Sequence, residues 1–265
     1  MMFASDLDRT LIFSNKAMEE FPFEHKEELI TVERKQDENL AFMTLKSFEL
    51  LKRISEKLLF VPVTTRSVEQ FKRVFIFQDS ISSKYAVTSN GACIFYNGKQ
   101  YSEWTNNIHR HLTHECIDKR EVIKTLQKDF FHIPGEMRVV ENLFIYYLLS
   151  SKLDEEILTE LKKYTEPHGW KLSYQGRKLY LMPNPVSKGK AIKYIQEQEG
   201  ISTLYGAGDS LLDHDFLELC HHRFLPSHGE LMKLQIDQEK YTITKNKGAK
   251  AGEELLHSLM NLLES

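Results

Sequence analysis

The stretch Asp6-Leu7-Asp8-Arg9-Thr10 constrains this chain more than any other. Apolar residues flank it, Met1-Met2-Phe3-Ala4 before and Leu11-Ile12-Phe13 after. The leading run reads as a strand over about residues 2–7, which puts both acids on one side at its end. At the edge of a core, water alone does not screen their repulsion. Such a pair needs a cation, a shared proton or a catalytic role. A hard divalent cation suits carboxylate and carbonyl oxygens, and Mg²⁺ fits best. A surface Asp-x-Asp turn is the plain alternative for a motif this short.

Three later features weigh against that alternative. Val61-Pro62-Val63 is a short buried-strand candidate that runs into Thr64-Thr65-Arg66-Ser67. Pro185-Val186-Ser187-Lys188-Gly189-Lys190 opens an amphipathic helix with Ala191, Ile192 and Ile195 on one side. Leu204-Tyr205-Gly206-Ala207-Gly208-Asp209-Ser210-Leu211-Leu212-Asp213 reads as strand, glycine-bearing turn and helix start. Acids, a hydroxyl and an ammonium thus fall where strands end or helices begin. In an open α/β sheet those positions converge on the crevice at the carboxyl ends of the strands.

These segments together resemble the haloacid-dehalogenase superfamily of phosphatases, in its Cof-like and sucrose-phosphatase-like branch with a C2-type (IIB) α/β cap. Asp6-x-Asp8-x-Thr10 is similar to the family's first motif, Thr64 to the second and Lys188 to the third. Gly208-Asp209-Ser210-x-x-Asp213 is similar to the fourth, and Ser89-Asn90-Gly91-Ala92 resembles the segment where this branch enters its cap. The resemblance spans nearly the whole chain. It departs from the family at Arg9, where many relatives carry Gly, and at Leu212, where many carry Asn.

The resemblance implies a Rossmann-like parallel-sheet α/β core with an inserted α+β cap domain. The expected division is core over 1–89, with a β-hairpin flap near 29–42, cap over 90–184, and core again over 185–265. It implies a Mg²⁺-dependent phosphomonoester hydrolase that works through an aspartyl-phosphate on a small soluble substrate, a sugar phosphate by expectation. Asp6 would be the nucleophile and Asp8 the general acid and base. Mg²⁺ would be held by Asp6, Asp209 and the main-chain carbonyl of Asp8, with Asp213 supporting the metal shell and pairing with Lys188. Thr64, with Thr65 beside it, and Lys188 would hold the phosphoryl oxygens. Thr10 would orient the loop. Arg9, Arg138 and Arg177 are the candidates for a second anionic group of the substrate. Each role has a plainer reading. Thr64 or Thr65 could cap a helix, Lys190 could replace Lys188, and Asp213 could merely favour a helix N-terminus. A phosphomutase or phosphotransferase of the same superfamily stays open, as does a binding or regulatory protein on the same scaffold.

Composition narrows the remaining classes. A net charge of -3 with Lys and Arg spread along the chain gives no footprint for nucleic acid. No apolar run approaches the ~18 residues of a membrane span; the longest, Leu143 to Leu149, fits a buried strand. No signal peptide is evident, because Asp6 interrupts the N-terminal apolar run. Cys93, Cys116 and Cys220 are an odd set without CxxC and read as reduced thiols of a cytoplasmic protein. The sequence sets no oligomeric state. His109, His111, His114 and the pair His221-His222 lack any HExxH pattern and read as solvated positions, not ligands.

Pattern also predicts the elements. A hairpin is expected between Phe21-Pro22-Phe23 and Phe42, and a helix capped by Thr44 through Leu58. Ser67 caps a second helix, and Tyr85-Ala86-Val87 is a core strand. Past Asn90 come a hairpin at Asn97-Gly98, a polar helix over roughly 106–130, strands near 137–140 and 143–149, a helix over 153–166, and a hairpin around Gln175-Gly176-Arg177. Trp104, Tyr146, Tyr147 and Tyr180 could line a substrate surface or fill the cap core, with core expected for at least half of them. An amphipathic helix closes the chain from Glu253 to Leu263.

Overall fold

A computed structural model describes residues 1–22, 28–128, 131–234 and 236–264. The chain divides into two compact units, Met1–Gln100 with Lys188–Ser265, and Tyr101–Ser187. The first is built on a parallel sheet of five strands. In spatial order these are Thr242–Ile243, His222–Leu225, Leu204–Ala207, Met2–Ser5 and Leu59–Pro62. A parallel bridge between Val63 and Val87 carries the sheet on to Tyr85–Thr88. All residues of Met2–Ser5 and Leu204–Ala207 are buried, as befits parallel strands covered on both faces.

One face carries the helices Leu45–Lys57 and Ala249–Glu264. Leu50, Leu51, Ile54, Leu255, Leu256 and Leu259 pack there with Phe3, Phe60 and Phe224. On Gly206 an added Cβ would fall 2.5 Å from Cys220 Sγ and 3.0 Å from Leu217, so the helical segment after the third strand lies directly on the sheet. The helix Lys188–Gln198 buries Ala191, Ile192 and Ile195.

The expected hairpin forms as Leu29–Lys35 and Glu38–Thr44, and Phe13–Ser14 pairs with its second strand. Phe23 lies outside the described residues. Val32, Ala41 and Met43 are fully buried in the main core, so the hairpin packs one set of its side chains into the first unit. Between Phe13–Ser14 and the hairpin, Asn15–Glu20 is helical and capped by Ser14. Thr44 and Ser67 cap their helices as expected, Ser67 in a capping box with Gln70. The second helix is short, Val68–Lys72, and resumes as Ile76–Asp79.

Residues 90–100, expected in the insert, belong to the first unit, because Cys93–Tyr96 pairs antiparallel with Tyr85–Thr88, and residues 185–187, expected in the core, belong to the second. The second unit is a four-stranded antiparallel sheet, in order Trp170–Gln175, Lys178–Pro183, Phe144–Leu149 and Gly135–Val140. The single helix expected over 106–130 is two, Ser102–Glu115 and Lys119–Leu126, with Asp118 capping the second; Asp129 and Phe130 lie outside the described residues. Helix Glu155–Thr165 completes the unit. Its core joins Val122, Leu126, Ile145, Tyr147, Leu149, Leu161, Trp170, Leu179 and Leu181.

Candidate active site

The first motif occupies the turn after the strand Met2–Ser5. Asp6 N–H donates to Ala207 O at 2.8 Å, which continues the sheet ladder by one residue and fixes where its side chain starts. The chain then turns sharply, with Arg9 in the left-handed region at φ 66°. His228 holds that turn through its Nε2, 2.8 Å from Arg9 O. The turn is satisfied internally: Leu11 and Ile12 N–H both donate to Leu7 O at 2.9 Å. Thr10 Oγ1 donates to Asp6 Oδ2 at 3.4 Å.

Lys188 is the centre of the site. It is 1% exposed, and its Nζ donates to Asp6 Oδ1 at 2.7 Å and to Asp213 Oδ1 at 2.6 Å. Burial opposes its charge, yet Asp213 and Asp6 outweigh that and raise its pKa. Lys190 is exposed on the same helix, so the chain itself chooses between the two lysines. Asp213 closes the other side. Its Oδ2 accepts from Asp209 N–H at 3.1 Å, Ser210 N–H at 2.9 Å and Ser210 Oγ at 2.8 Å. Gly208 makes this approach feasible: an added Cβ there would fall 2.5 Å from Asp213 Cβ.

Asp6, Asp209 and Asp213 are all buried, with one oxygen of each within 4.8 Å of the others. Burial first, then Asp213 and Asp8, push the Asp6 carboxyl up to about 7 against the pull of Lys188. Asp209 is raised well above its ordinary value, by burial first and then by Asp6 and Asp213. Lys188, and Arg9 with its Nε 3.8 Å from Asp209, bring two positive charges to three buried carboxylates. The cluster therefore favours a further cation, and its hard oxygen donors suit Mg²⁺.

Asp8 stands apart from that cluster. Both its oxygens accept from Arg66, Oδ2 from Nε and Oδ1 from Nη2, each at 2.7 Å. Its side chain is therefore engaged by arginine rather than grouped with the three acids. Thr64 is fully buried, its N–H donates to Val87 O at 2.8 Å, and its Oγ1 accepts from Arg66 N–H at 3.1 Å. Thr65 is half-buried beside it. The facing turn is unusual: Ser89, Asn90 and Gly91 all have positive φ, and Ser89 and Asn90 N–H donate to Arg66 O and Thr64 O.

Of the three arginines expected near substrate, Arg9 pairs bidentately with Glu20 at 2.8 and 3.1 Å, lies over the Phe21 ring, and brings Nε to 3.8 Å from Asp209. Arg138 and Arg177 belong to the second unit. Arg138 pairs with Glu136 at 2.9 Å, and Arg177 donates from Nε to Leu149 O at 3.0 Å. Trp104, Tyr147 and Tyr180 are buried core, and the partly buried Tyr146 meets Tyr180 with ring centroids 5.5 Å apart and planes tilted by 38°. His111 pairs with Glu115 on an exposed helix face, and among the described residues only Asp6, Asp209 and Asp213 form a metal-competent group. Two charged residues escaped the sequence reading, Arg66 and Glu33, which form an ion pair at 2.8 Å. The available signal was Glu33 itself, a carboxylate ending the apolar run Leu29-Ile30-Thr31-Val32.

Residues 1–223 match the family model described as sucrose-6F-phosphate phosphohydrolase. A sucrose-phosphatase from Synechocystis sp. PCC6803, solved with sucrose and phosphate, has a TM-score of 0.71 at 15% identity, covering 98% of this chain and 97% of that one. A subclass IIB sugar phosphatase of the haloacid-dehalogenase superfamily has a TM-score of 0.59 at 15% identity, covering 98% of each chain. A phosphoglycolate phosphatase from Staphylothermus marinus is 29% identical over 142 residues, 50% of this chain and 56% of that protein. The match thus spans little more than half the length of that curated relative. No helix among the described residues is long and apolar enough to cross a membrane. With a family model matched from the first motif through the fourth, the chain belongs to the sucrose-6F-phosphate phosphohydrolase family, within the haloacid-dehalogenase-like superfamily.

Proposed function

We propose that this protein is a Mg²⁺-dependent phosphomonoester phosphatase acting on a small phosphorylated substrate, a sugar phosphate in the first instance. The observation that carries the reading is the buried Lys188 bridging Asp6 and Asp213, with Asp209 beside them, at the carboxyl ends of the strands. Asp6 and Asp209 would hold the cation, with the Asp8 main-chain carbonyl, and Asp213 would support them. The cation would supply charge neutralisation for an anionic phosphoryl group approached by a carboxylate.

The chain's own residues do the rest. Lys188 and Thr64 hold phosphoryl oxygens, and Lys188 with Thr10 aims the Asp6 carboxylate at phosphorus. An Asp6 oxygen gives its electron pair to phosphorus and forms an aspartyl-phosphate. The bond to the leaving oxygen breaks with its electron pair, and that oxygen takes a proton from Asp8. Asp8 then accepts a proton from the water that hydrolyses the aspartyl-phosphate, restoring Asp6. Arg9 would touch the substrate only by giving up part of its pairing with Glu20. The reading also takes the protein to be cytoplasmic and to act without nucleic acid or membrane, supported by Lys and Arg spread along the chain and by three free cysteines.

The test is phosphate release by the purified protein from phosphorylated sugars, phosphoglycolate and a chromogenic ester, with and without Mg²⁺, beside Asp6→Asn. Mg²⁺-dependent release that disappears in Asp6→Asn is the expected result. Release that persists in Asp6→Asn, or no release from any ester, would overturn the proposal.

A further inference from the structure

The reaction above leaves unused three charged groups, Arg66, Glu33 and Arg73, that run in a chain to Asp8. Arg66 grips both Asp8 oxygens at 2.7 Å. Behind it, Arg66 Nη1 lies 2.8 Å from Glu33 Oε2, and Glu33 Oε1 accepts from Arg73 Nε at 3.0 Å. The charges alternate in sign from Asp8 to Arg73. The guanidinium of Arg66 is therefore anchored from the hairpin side, and its position does not depend on Asp8 alone.

Glu33 reaches this spot through an irregularity in its strand. The pairing register shifts on both sides of it, between Thr31 and Glu33 and between Glu33 and Arg34. A regular strand alternates its faces, yet Val32 and Glu33 are consecutive and both buried, at 0% and 3% exposure. A bulge of this kind re-aims one side chain. A buried carboxylate between two arginines adds little stability that an apolar residue would not match. Its value at this point is orientation.

We propose that Glu33 and Arg66 form a positioning pair that sets the Asp8 carboxyl toward the leaving oxygen of the substrate. It rests on Asp8 acting as the general acid, as proposed above. For Asp8 to serve the leaving group one of its two bonds to Arg66 opens, and Arg66, tethered by Glu33, keeps the other. In the step itself the Asp8 O–H bond breaks, the new O–H bond forms on the departing alcohol, and the phosphorus–oxygen pair of electrons goes to that oxygen. The tether stops Arg66 from following Asp8, and the hairpin thereby becomes part of the catalytic frame.

The test compares two esters that differ in their need for that proton. An alkyl phosphate expels a basic alkoxide, whereas p-nitrophenyl phosphate expels a stable phenolate. In Glu33→Gln, kcat/KM on the alkyl ester is expected to fall by about tenfold or more, within the range of general-acid contributions. On the nitrophenyl ester it is expected to stay within about threefold of the wild type. Arg66→Lys keeps the charge and loses the bidentate fork, so the same split is expected. Equal losses on both esters, or no loss on either, would overturn the positioning pair. Should Glu33→Gln fail to fold, Arg66→Lys decides alone. Asp6→Asn run in parallel separates the two readings: activity that survives it removes the phosphatase itself, while Asp6-dependent activity without the ester split removes only the positioning pair.

Discussion

At the scale of single residues, the site is a problem of charge in a small dry space. Lys188 meets two acids within 2.7 Å, and Asp213 accepts four hydrogen bonds from Lys188, Asp209 and Ser210. Gly208 is the residue that lets the backbone come this close, and its Cα needs a bare hydrogen because a Cβ would collide with Asp213. Gly208→Ala should therefore displace Asp213, cost about 1–3 kcal/mol of stability by overpacking, and lower turnover by about tenfold or more as Lys188 loses its second anchor. Urea unfolding and steady-state kinetics on the same preparation check both. Arg9 is a different lesson. Its left-handed turn suits glycine, and here His228 at its carbonyl and Glu20 at its guanidinium hold an arginine there instead.

At the scale of elements, the first unit is tied together by caps as well as by apolar faces. Thr44 ends one strand of the hairpin and starts the helix Leu45–Lys57. Its Oγ1 accepts from Ser47 N–H at 3.0 Å and lies 3.1 Å from Glu253 Oε2 on the closing helix. One hydroxyl thus joins three elements. Thr44→Ala should cost about 1–2 kcal/mol, at the upper end for a lost cap because Glu253 is buried and also loses a partner. Chemical denaturation followed by circular dichroism reads this directly. An unchanged midpoint would mean the cap contributes nothing beyond what water replaces.

At the scale of the whole molecule, the acids gathered at one end of the sheet make stability depend on pH. The Asp6 carboxyl stands near 7 in the fold against 3.8 in the unfolded chain, through burial first and the neighbouring acids next. A carboxyl raised on folding binds its proton more tightly in the native state, so stability falls as pH rises from about 3.8 to about 7 and is level above. Asp209 is shifted in the same direction. With metal chelated, wild type should therefore lose stability relative to Asp6→Asn across that window. Mg²⁺ should raise the melting temperature more at pH 7.5 than at pH 5, because its ligands must be deprotonated. Melting curves of both proteins at a series of pH values, with chelator or Mg²⁺, check the sign. A difference between the two proteins that does not vary with pH would sink it. The sequence by itself determined the class of fold and the residues of the centre. Buried apolar runs mark the strands, caps mark the helices, and acids, threonine and lysine follow strand ends, all of which are local signals set by side-chain periodicity and backbone preference. Only the tertiary structure decided which lysine enters, that Asp8 is gripped by Arg66, that residues 90–100 stay with the first unit, and that Glu33 stands behind the site. Those outcomes depend on segments distant in sequence meeting at one point, Asp6 with Lys188 and Glu33 with Arg66, and local periodicity holds no information about distances between strands that pair through a crossover.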